Sequence, residues 1–208
     1  LLKALGAEIA SRPADTLTPG GIIVTVVSND DALQEVVMSE GFLQHLGTGG
    51  IHLSMSTVSP ALAQKLAALH AQHGSLYVEA PVFGRPEAAA AQLLWICTAG
   101  PIAAKARVRP LLEAMGQGIF DFGEEIGAAL IVKLCGNFLG SAATTAMREA
   151  LKMEKKSGNA EKELSCLWKL RKKGCDLRKT TRARVVLTLS EAKRKELFDE
   201  ILRRRSLP

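Results

Sequence analysis

Aromatic residues make up only 4% of this 208-residue chain, with a single tyrosine and two tryptophans. What remains is a composition rich in Ala, Leu and Gly, 47% hydrophobic and 23% charged, which is that of a soluble globular protein. The four cysteines, Cys97, Cys135, Cys166 and Cys175, show no CxxC spacing, and the four histidines do not cluster with them. That argues against a zinc site and for a reducing, cytosolic setting. There is no internal repeat, and no apolar run reaches membrane length. The longest apolar window holds an ionisable residue, and Leu1 to Ala10 lacks the basic region and long apolar core of a signal peptide. The length suits one domain with a full core, or a domain with an appendage.

The net charge of +6 is unevenly distributed. Residues 1–150 carry nine Lys and Arg against thirteen Asp and Glu, a net of −4, whereas residues 151–208 carry eighteen against eight, a net of +10. A shift of that size at one point marks a boundary between two kinds of segment. The basic segment is compatible with nucleic acid, an acidic partner or a solvated helix.

Before that boundary, apolar runs alternate with amphipathic ones. Gly21 to Val27 reads as a buried strand ending at the polar turn Ser28, Asn29, Asp30, and a helix follows to Met38. Strands are expected at Gly49–Ser54, Ser75–Ala80, Gln92–Thr98 and Gly118–Phe122, with helices from Pro60 to about His73 and from Pro101 to Met115. The start of the chain reads as a helix end at Leu1–Leu5, a glycine stop at Gly6 and a short strand at Ala7 to Ile9. Strands separated by helices imply crossover connections and a mostly parallel sheet with helices on both faces. Ligands of such sheets bind at the carboxyl ends of strands, where the turns Ser28–Asp30, Ser54–Pro60 and Pro81–Pro86 converge.

The fifteen residues from Ile126 to Gly140 are apolar except for Lys133 and Asn137, four apart and so on one face of a helix. A helix apolar nearly all round is expected to be buried, and this one reads as a long connection from Glu124 to about Lys156. Two readings of Lys133 stand. Desolvation lowers the pKa of an ammonium and makes it a general acid or base, or the head snorkels past apolar neighbours to water.

Three segments taken together, Ser56-Thr57-Val58-Ser59-Pro60, Glu79-Ala80-Pro81-Val82-Phe83-Gly84-Arg85-Pro86, and Gly127 through Lys133 to Asn137, resemble the β-hydroxyacid dehydrogenase family, which includes 3-hydroxyisobutyrate dehydrogenases, tartronate semialdehyde reductases and imine reductases. The match covers about residues 1 to 155, and its specificity lies in the order of the motifs and the fifty-residue interval from Phe83 to Lys133. The resemblance implies an α/β class: a partial Rossmann-like, doubly wound and mostly parallel sheet over residues 1–124, a long connecting helix over 125–156, and a basic helical or disordered tail over 157–208. It further implies an NAD- or NADP-dependent oxidoreductase passing hydride between nicotinamide and a small hydroxy acid, aldehyde or imine.

By the same resemblance Lys133 moves the proton and Asn137 orients it, while Val27, Ser28, Asn29, Ser56 and Thr57 face the cofactor. Helix capping by Ser59 or Thr57 and a plain turn at residues 27–29 are the competing readings. Pro81, Val82, Phe83, Gly84 and Arg85 would form the substrate loop. The family pattern has Ser-Gly-Gly where this chain has Phe83, Gly84 and Arg85. Phe83 points to a more apolar pocket, and Arg85 either meets a carboxylate or sits in solvent. The glycine fingerprint GxGxxG that holds the dinucleotide phosphates is absent from the 208 residues, and Gly47 to Gly50 precedes a strand rather than following one. The family's helical C-terminal domain, through which its members usually form homodimers, also has no counterpart, so the chain reads as a fragment or as the product of a frame change or fusion.

In the tail, Arg184–Leu189 reads as a short strand and Ser190–Arg205 as an amphipathic helix. Leu170–Thr181, with five Lys or Arg, reads as solvated. No nucleic-acid motif accompanies that charge, and neither membrane nor nucleic acid is an expected partner. The alternative to an enzyme is a non-catalytic remnant whose basic tail binds an acidic partner or nucleic acid.

Overall fold

A computed structural model describes residues 6–157; the tail strand, the tail helix, the basic stretch at 170–181 and the helix end expected at Leu1–Leu5 lie outside the described residues. After a 3-10 turn at Pro13–Thr16, strand β1 (Ile22–Thr25) leads into helix α1 (Asp30–Met38) and a short helix α2 (Phe42–Leu46). Strand β2 (Ile51–Ser54), helix α3 (Pro60–Gln72) and strand β3 (Leu76–Glu79) follow. Then come β4 (Val82–Phe83), α4 (Pro86–Ala90), β5 (Leu94–Thr98), α5 (Ile102–Met115), β6 (Gly116–Asp121) and α6 (Ala128–Ser157). Contacts divide the chain into two compact units at Ala143/Thr144, within α6.

The strands form two three-stranded sheets. β1, β2 and β3 run parallel in that order, with Thr25, Ser54 and Glu79 in register at their carboxyl ends. In the second sheet β5 pairs antiparallel with β4 and parallel with β6. An isolated antiparallel bridge between Glu79 and Ala99 joins β3 to the end of β5. Helices cover both faces of the first sheet, as the crossover pattern predicts. On one face Leu33, Val37, Phe42, Leu62, Leu66 and Tyr77 pack together from α1, α2, α3 and β3. On the other, Ile51, Leu53, Val78 and Ile96 meet Ala104, Val108 and Leu112 of α5, so one helix serves both sheets.

Local chemistry sets the helix starts. The Asn29 side chain accepts the Ala32 N–H at 2.9 Å and starts α1. Ser59 accepts the Leu62 N–H at 3.2 Å ahead of Pro60, whose missing N–H costs nothing in a first turn.

Four expectations need correction. Ala7 to Ile9 form no strand, and Ile9 is 80% exposed with no strand among the described residues to pair with it. β1 is an edge strand rather than a buried one: Ile22 and Val24 are partly exposed because the described residues place no helix over their face. Val82 and Phe83, expected within the turn Pro81–Pro86, form the antiparallel strand β4, too short for a period to register.

The fourth concerns α6, which is not buried along its apolar length. Ala129 and Leu130 are fully buried, but Ile131, Phe138 and Leu139 are exposed, since no described element covers that face. Ala128–Glu149 is also long and apolar enough to cross a membrane by length and composition, where the fifteen-residue window had looked too short. The same test is passed by helices that pack within domains, and the start of α6 is fastened inside this one.

Candidate active site around Lys133

Glu79 is that fastening. It ends β3 with no exposed surface, and among the described residues no Lys or Arg pairs with it. Its carboxylate accepts the N–H groups of Gly127 at 2.9 Å, Ala129 at 2.8 Å and Leu130 at 3.4 Å. These are unpaired donors of the α6 amino terminus, where the helix dipole also favours negative charge. Burial pushes the Glu79 carboxyl pKa up, and the three N–H bonds pull the other way. Gly127, at φ +108°, makes the turn into the helix, and an added Cβ would lie 3.2 Å from Cβ of Pro60.

Lys133 lies one turn beyond Ala129. Its Nζ stands 4.1 Å from the centre of the Phe83 ring, and that ring packs against an apolar cluster of Cys97, Ala99, Ala129 and Val132. Desolvation draws the Lys133 pKa below its ordinary value, with Cys97 acting in the opposite sense. Burial raises the Cys97 thiol, against the pull of Lys133. The segment from Glu79 to Phe83 therefore brackets the helix: its first residue fixes the start of α6 and its last reaches Lys133.

Two of the three turns expected to converge, Ser28–Asp30 and Ser54–Pro60, are joined by hydrogen bonds. Ser56 is buried, accepts the Val27 N–H at 2.9 Å and donates to the Thr25 carbonyl at 3.4 Å, tying the ends of β1 and β2. The Asp30 carboxylate accepts from both the Ser59 N–H, at 2.8 Å, and the Ser59 hydroxyl. The Gln64 side chain donates to the Ile126 carbonyl at 3.0 Å, bringing α3 to the start of α6. Ser59 is thus the cap of α3, and the neighbouring Thr57 hydroxyl, half-buried, is left uncommitted among the described residues. Asn29 is occupied as a cap, Ser28 is the turn residue before it, and the Val27 N–H is used by Ser56.

In the loop, Pro81 is buried, Val82 and Phe83 are half-buried, and Gly84 and Arg85 are exposed; Arg85 makes no ion pair among the described residues. Asn137 is exposed one turn after Lys133 and makes no hydrogen bond to it.

Sequence reasoning missed a buried polar chain on the α1–α3 side of the first sheet. Thr25 Oγ1 lies 2.8 Å from His52 Nε2, His52 Nδ1 lies 2.9 Å from His70 Nε2, and His70 Nδ1 lies 2.8 Å from Ser75 Oγ. The Ser75 hydroxyl donates to the His70 carbonyl at 3.2 Å, so its oxygen accepts from Nδ1–H of His70. His70 Nε2 then accepts from Nδ1–H of His52, and His52 Nε2 accepts from Thr25, which assigns one tautomer to each ring. Both imidazoles are neutral: burial lowers the His70 pKa to about 4 and that of His52 well below its ordinary value. The available signal was a histidine inside each of two apolar stretches, with strand-face alternation bringing His52 beside Tyr77. Glu79 carried a similar signal, a carboxylate in an apolar strand with no basic neighbour.

The dinucleotide implied by the resemblance is a partial fit to these residues. Thr57 and Lys133 suit the nicotinamide end. The diphosphate has no match, because Asn29 already caps α1 and Asp30 and Ser59 occupy the start of α3, where a carboxylate would repel phosphate.

The model of the NAD-binding domain of 6-phosphogluconate dehydrogenase matches residues 1–123. A Bacillus subtilis oxidoreductase of uncharacterised function, YfjR, is 42% identical over 159 residues, which cover 76% of this chain and 56% of that protein. The NAD-dependent L-serine dehydrogenase of Pseudomonas aeruginosa is 30% identical over 165 residues, 79% of this chain and 55% of that one. A solved oxidoreductase from Mycobacterium avium aligns with a TM-score of 0.72 at 27% identity, over 80% of this chain and 58% of that structure. The chain spans about half the length of the curated relatives it matches. A mostly parallel α/β sheet, a turn cluster at its strand ends and a match over most of that sheet agree: the chain belongs to the family of the NAD-binding domain of 6-phosphogluconate dehydrogenase.

Proposed function

We propose that this chain forms the nicotinamide-side and lysine-bearing part of an NAD(P)-dependent oxidoreductase of the β-hydroxyacid dehydrogenase type, acting on a small hydroxy acid, aldehyde or imine. The observation that carries the reading is Lys133: a half-buried lysine of lowered pKa, held over the ring of Phe83 in the loop that follows β3. The names of relatives, among them 3-hydroxyisobutyrate dehydrogenases and an L-serine dehydrogenase, support it.

A nicotinamide bound at this site would supply or take the hydride. Lys133 gives a proton from Nζ to the substrate oxygen or nitrogen in reduction and takes it back in oxidation. Glu79 sets the depth of α6, and so the height of Nζ. Ser56 holds the end of β1 against β2, and Thr57 offers its hydroxyl to the nicotinamide side. The free thiols Cys97 and Cys135 suit a reducing compartment, and we place the protein in the cytoplasm.

Two measurements test this. Titrating the chain with NADH and NADPH while following nicotinamide fluorescence should give saturable binding, weakened by the lack of a diphosphate cradle among the described residues. Absence of binding at millimolar cofactor counts against the enzyme reading. Lys133→Ala should cut turnover by about 10²- to 10⁴-fold with cofactor affinity nearly unchanged; an equal loss of both would make Lys133 a structural residue.

A further inference from the structure

Glycine inside a helix is destabilising by about 0.5–1 kcal/mol relative to alanine, so a mid-helix glycine invites a local reason. α6 has two. At Gly140 an added Cβ would meet nothing within 4 Å, whereas at Gly136 it would lie 2.6 Å from both Cε1 and Cζ of Phe83. Gly136 is therefore the seat of the Phe83 ring. Lys133, three residues earlier on the same face, has its Nζ over that ring, so a single side chain covers two positions one turn apart on the helix.

The ring is held from behind as well. Phe83 pairs with Trp95 and Val82 with Ile96 in the β4–β5 ladder. The next residue, Gly84 at φ +148°, packs so closely that a Cβ would lie 2.5 Å from Leu94 Cδ2. Neither end of β4 is free to slide the ring along α6.

The consequence is chemical. An aromatic face carries negative charge density, which attracts the ammonium and repels an anion brought to the same place. Behind the ring, Phe83 packs with Cys97, Ala99, Ala129 and Val132 as one apolar cluster. Arg85, the nearest cation along the loop, is exposed beyond Gly84. We infer that Phe83, seated on Gly136, is the specificity determinant of the site: it directs Lys133 toward an uncharged carbonyl or imine carbon bearing an apolar group, and away from substrates with a carboxylate beside the reacting carbon. This rests on the proposed role of Lys133 as the proton-transfer group.

Reductive alkylation of the 208-residue chain tests both layers without cofactor. Each aldehyde condenses with a lysine amine, water leaves, and cyanoborohydride delivers hydride to the imine carbon while solvent protonates the nitrogen. Isobutyraldehyde leaves an isobutyl group and glyoxylate a carboxymethyl group, and peptide mass spectrometry counts each at Lys133 and at the exposed Lys65 as internal reference. The isobutyl-to-carboxymethyl ratio at Lys133 should exceed that at Lys65 by about tenfold. Phe83→Ser should bring the two ratios together, and Gly136→Ala, which displaces the ring without altering it, should move the ratio in the same direction. If Phe83→Ser does not fold, Gly136→Ala carries the test.

Equal ratios at the two lysines in the wild type, or a Lys133 preference unchanged when the ring is removed or displaced, overturn the inference and leave the reactive lysine standing. A Lys133 slow toward both aldehydes in the wild type but fast in the variants makes the ring a plug, which also overturns it. A Lys133 slower than Lys65 toward both aldehydes in every variant instead removes the proton-transfer reading itself.

Discussion

At the scale of single residues, Glu79 and Lys133 make opposite use of burial. Glu79 stays in the core because three helix N–H groups face it, and Lys133 is drawn toward neutrality because burial removes water from its ammonium. Glu79→Ala leaves those donors without an acceptor and should destabilise the chain by about 1–3 kcal/mol, read as a lowered midpoint of thermal or urea unfolding. Glu79→Gln keeps the volume but turns an NH₂ toward one of the donors, so it too should destabilise, whereas an unchanged midpoint would deny the carboxylate its capping role. For Lys133 the sign of the pH effect follows from its role. As proton donor in reduction it acts protonated, so the reductive rate should fall as pH rises through a pKa below the usual lysine value. The oxidative rate should rise over the same range. A rate profile without that crossing would assign the proton to another group.

Among the elements, α1, α3 and α5 were legible in the sequence almost to the residue, because Asn29, Ser59-Pro60 and Pro101 announce their starts through local chemistry. Ser59 carries more than its cap, since its hydroxyl and N–H also meet Asp30. Ser59→Ala should cost about 1 kcal/mol for the cap, with a further loss from the Asp30 contact, and Asp30→Ala in the same background should add less than it does alone. Additive losses in that double-mutant cycle would mean the two residues act separately. The pair β4 and α6 was less legible. β4 exists because Val82 and Phe83 meet Ile96 and Trp95 across the ladder, a partnership no local window contains. α6 was correctly read as a long helix with a lysine and asparagine on one face, but its burial was misjudged, since apolar composition states a preference and only a neighbouring element fulfils it.

Over the whole molecule, stability should depend on pH through the buried histidine pair. In the unfolded chain a histidine titrates near its ordinary 6.5, while folded His70 titrates at about 4 and His52 lower still. Their folded pKa values are depressed, so the stability tied to the neutral rings is present above pH 6.5 and drains away as pH falls toward about 4. From His70 alone that loss is about 3 kcal/mol. Unfolding midpoints between pH 7 and 4.5 should fall steeply in the wild type and more gently when His52 and His70 are both replaced by leucine. The groups facing the pair are Thr25, Ser75, Tyr77 and Phe42, none of them charged near neutrality, and His73, whose charge further lowers His70. The sequence alone determined the class: short apolar runs alternating with helices imply crossover connections and a parallel α/β layer, and the order of motifs pointed to the family. It determined the identity of Lys133 and Phe83 as residues to watch, but not their relation. Only the tertiary structure decided that Glu79 fastens α6, that Gly136 seats the ring and that His52 hydrogen-bonds to His70, because each is a contact between segments whose separation in the chain exceeds the reach of any local pattern.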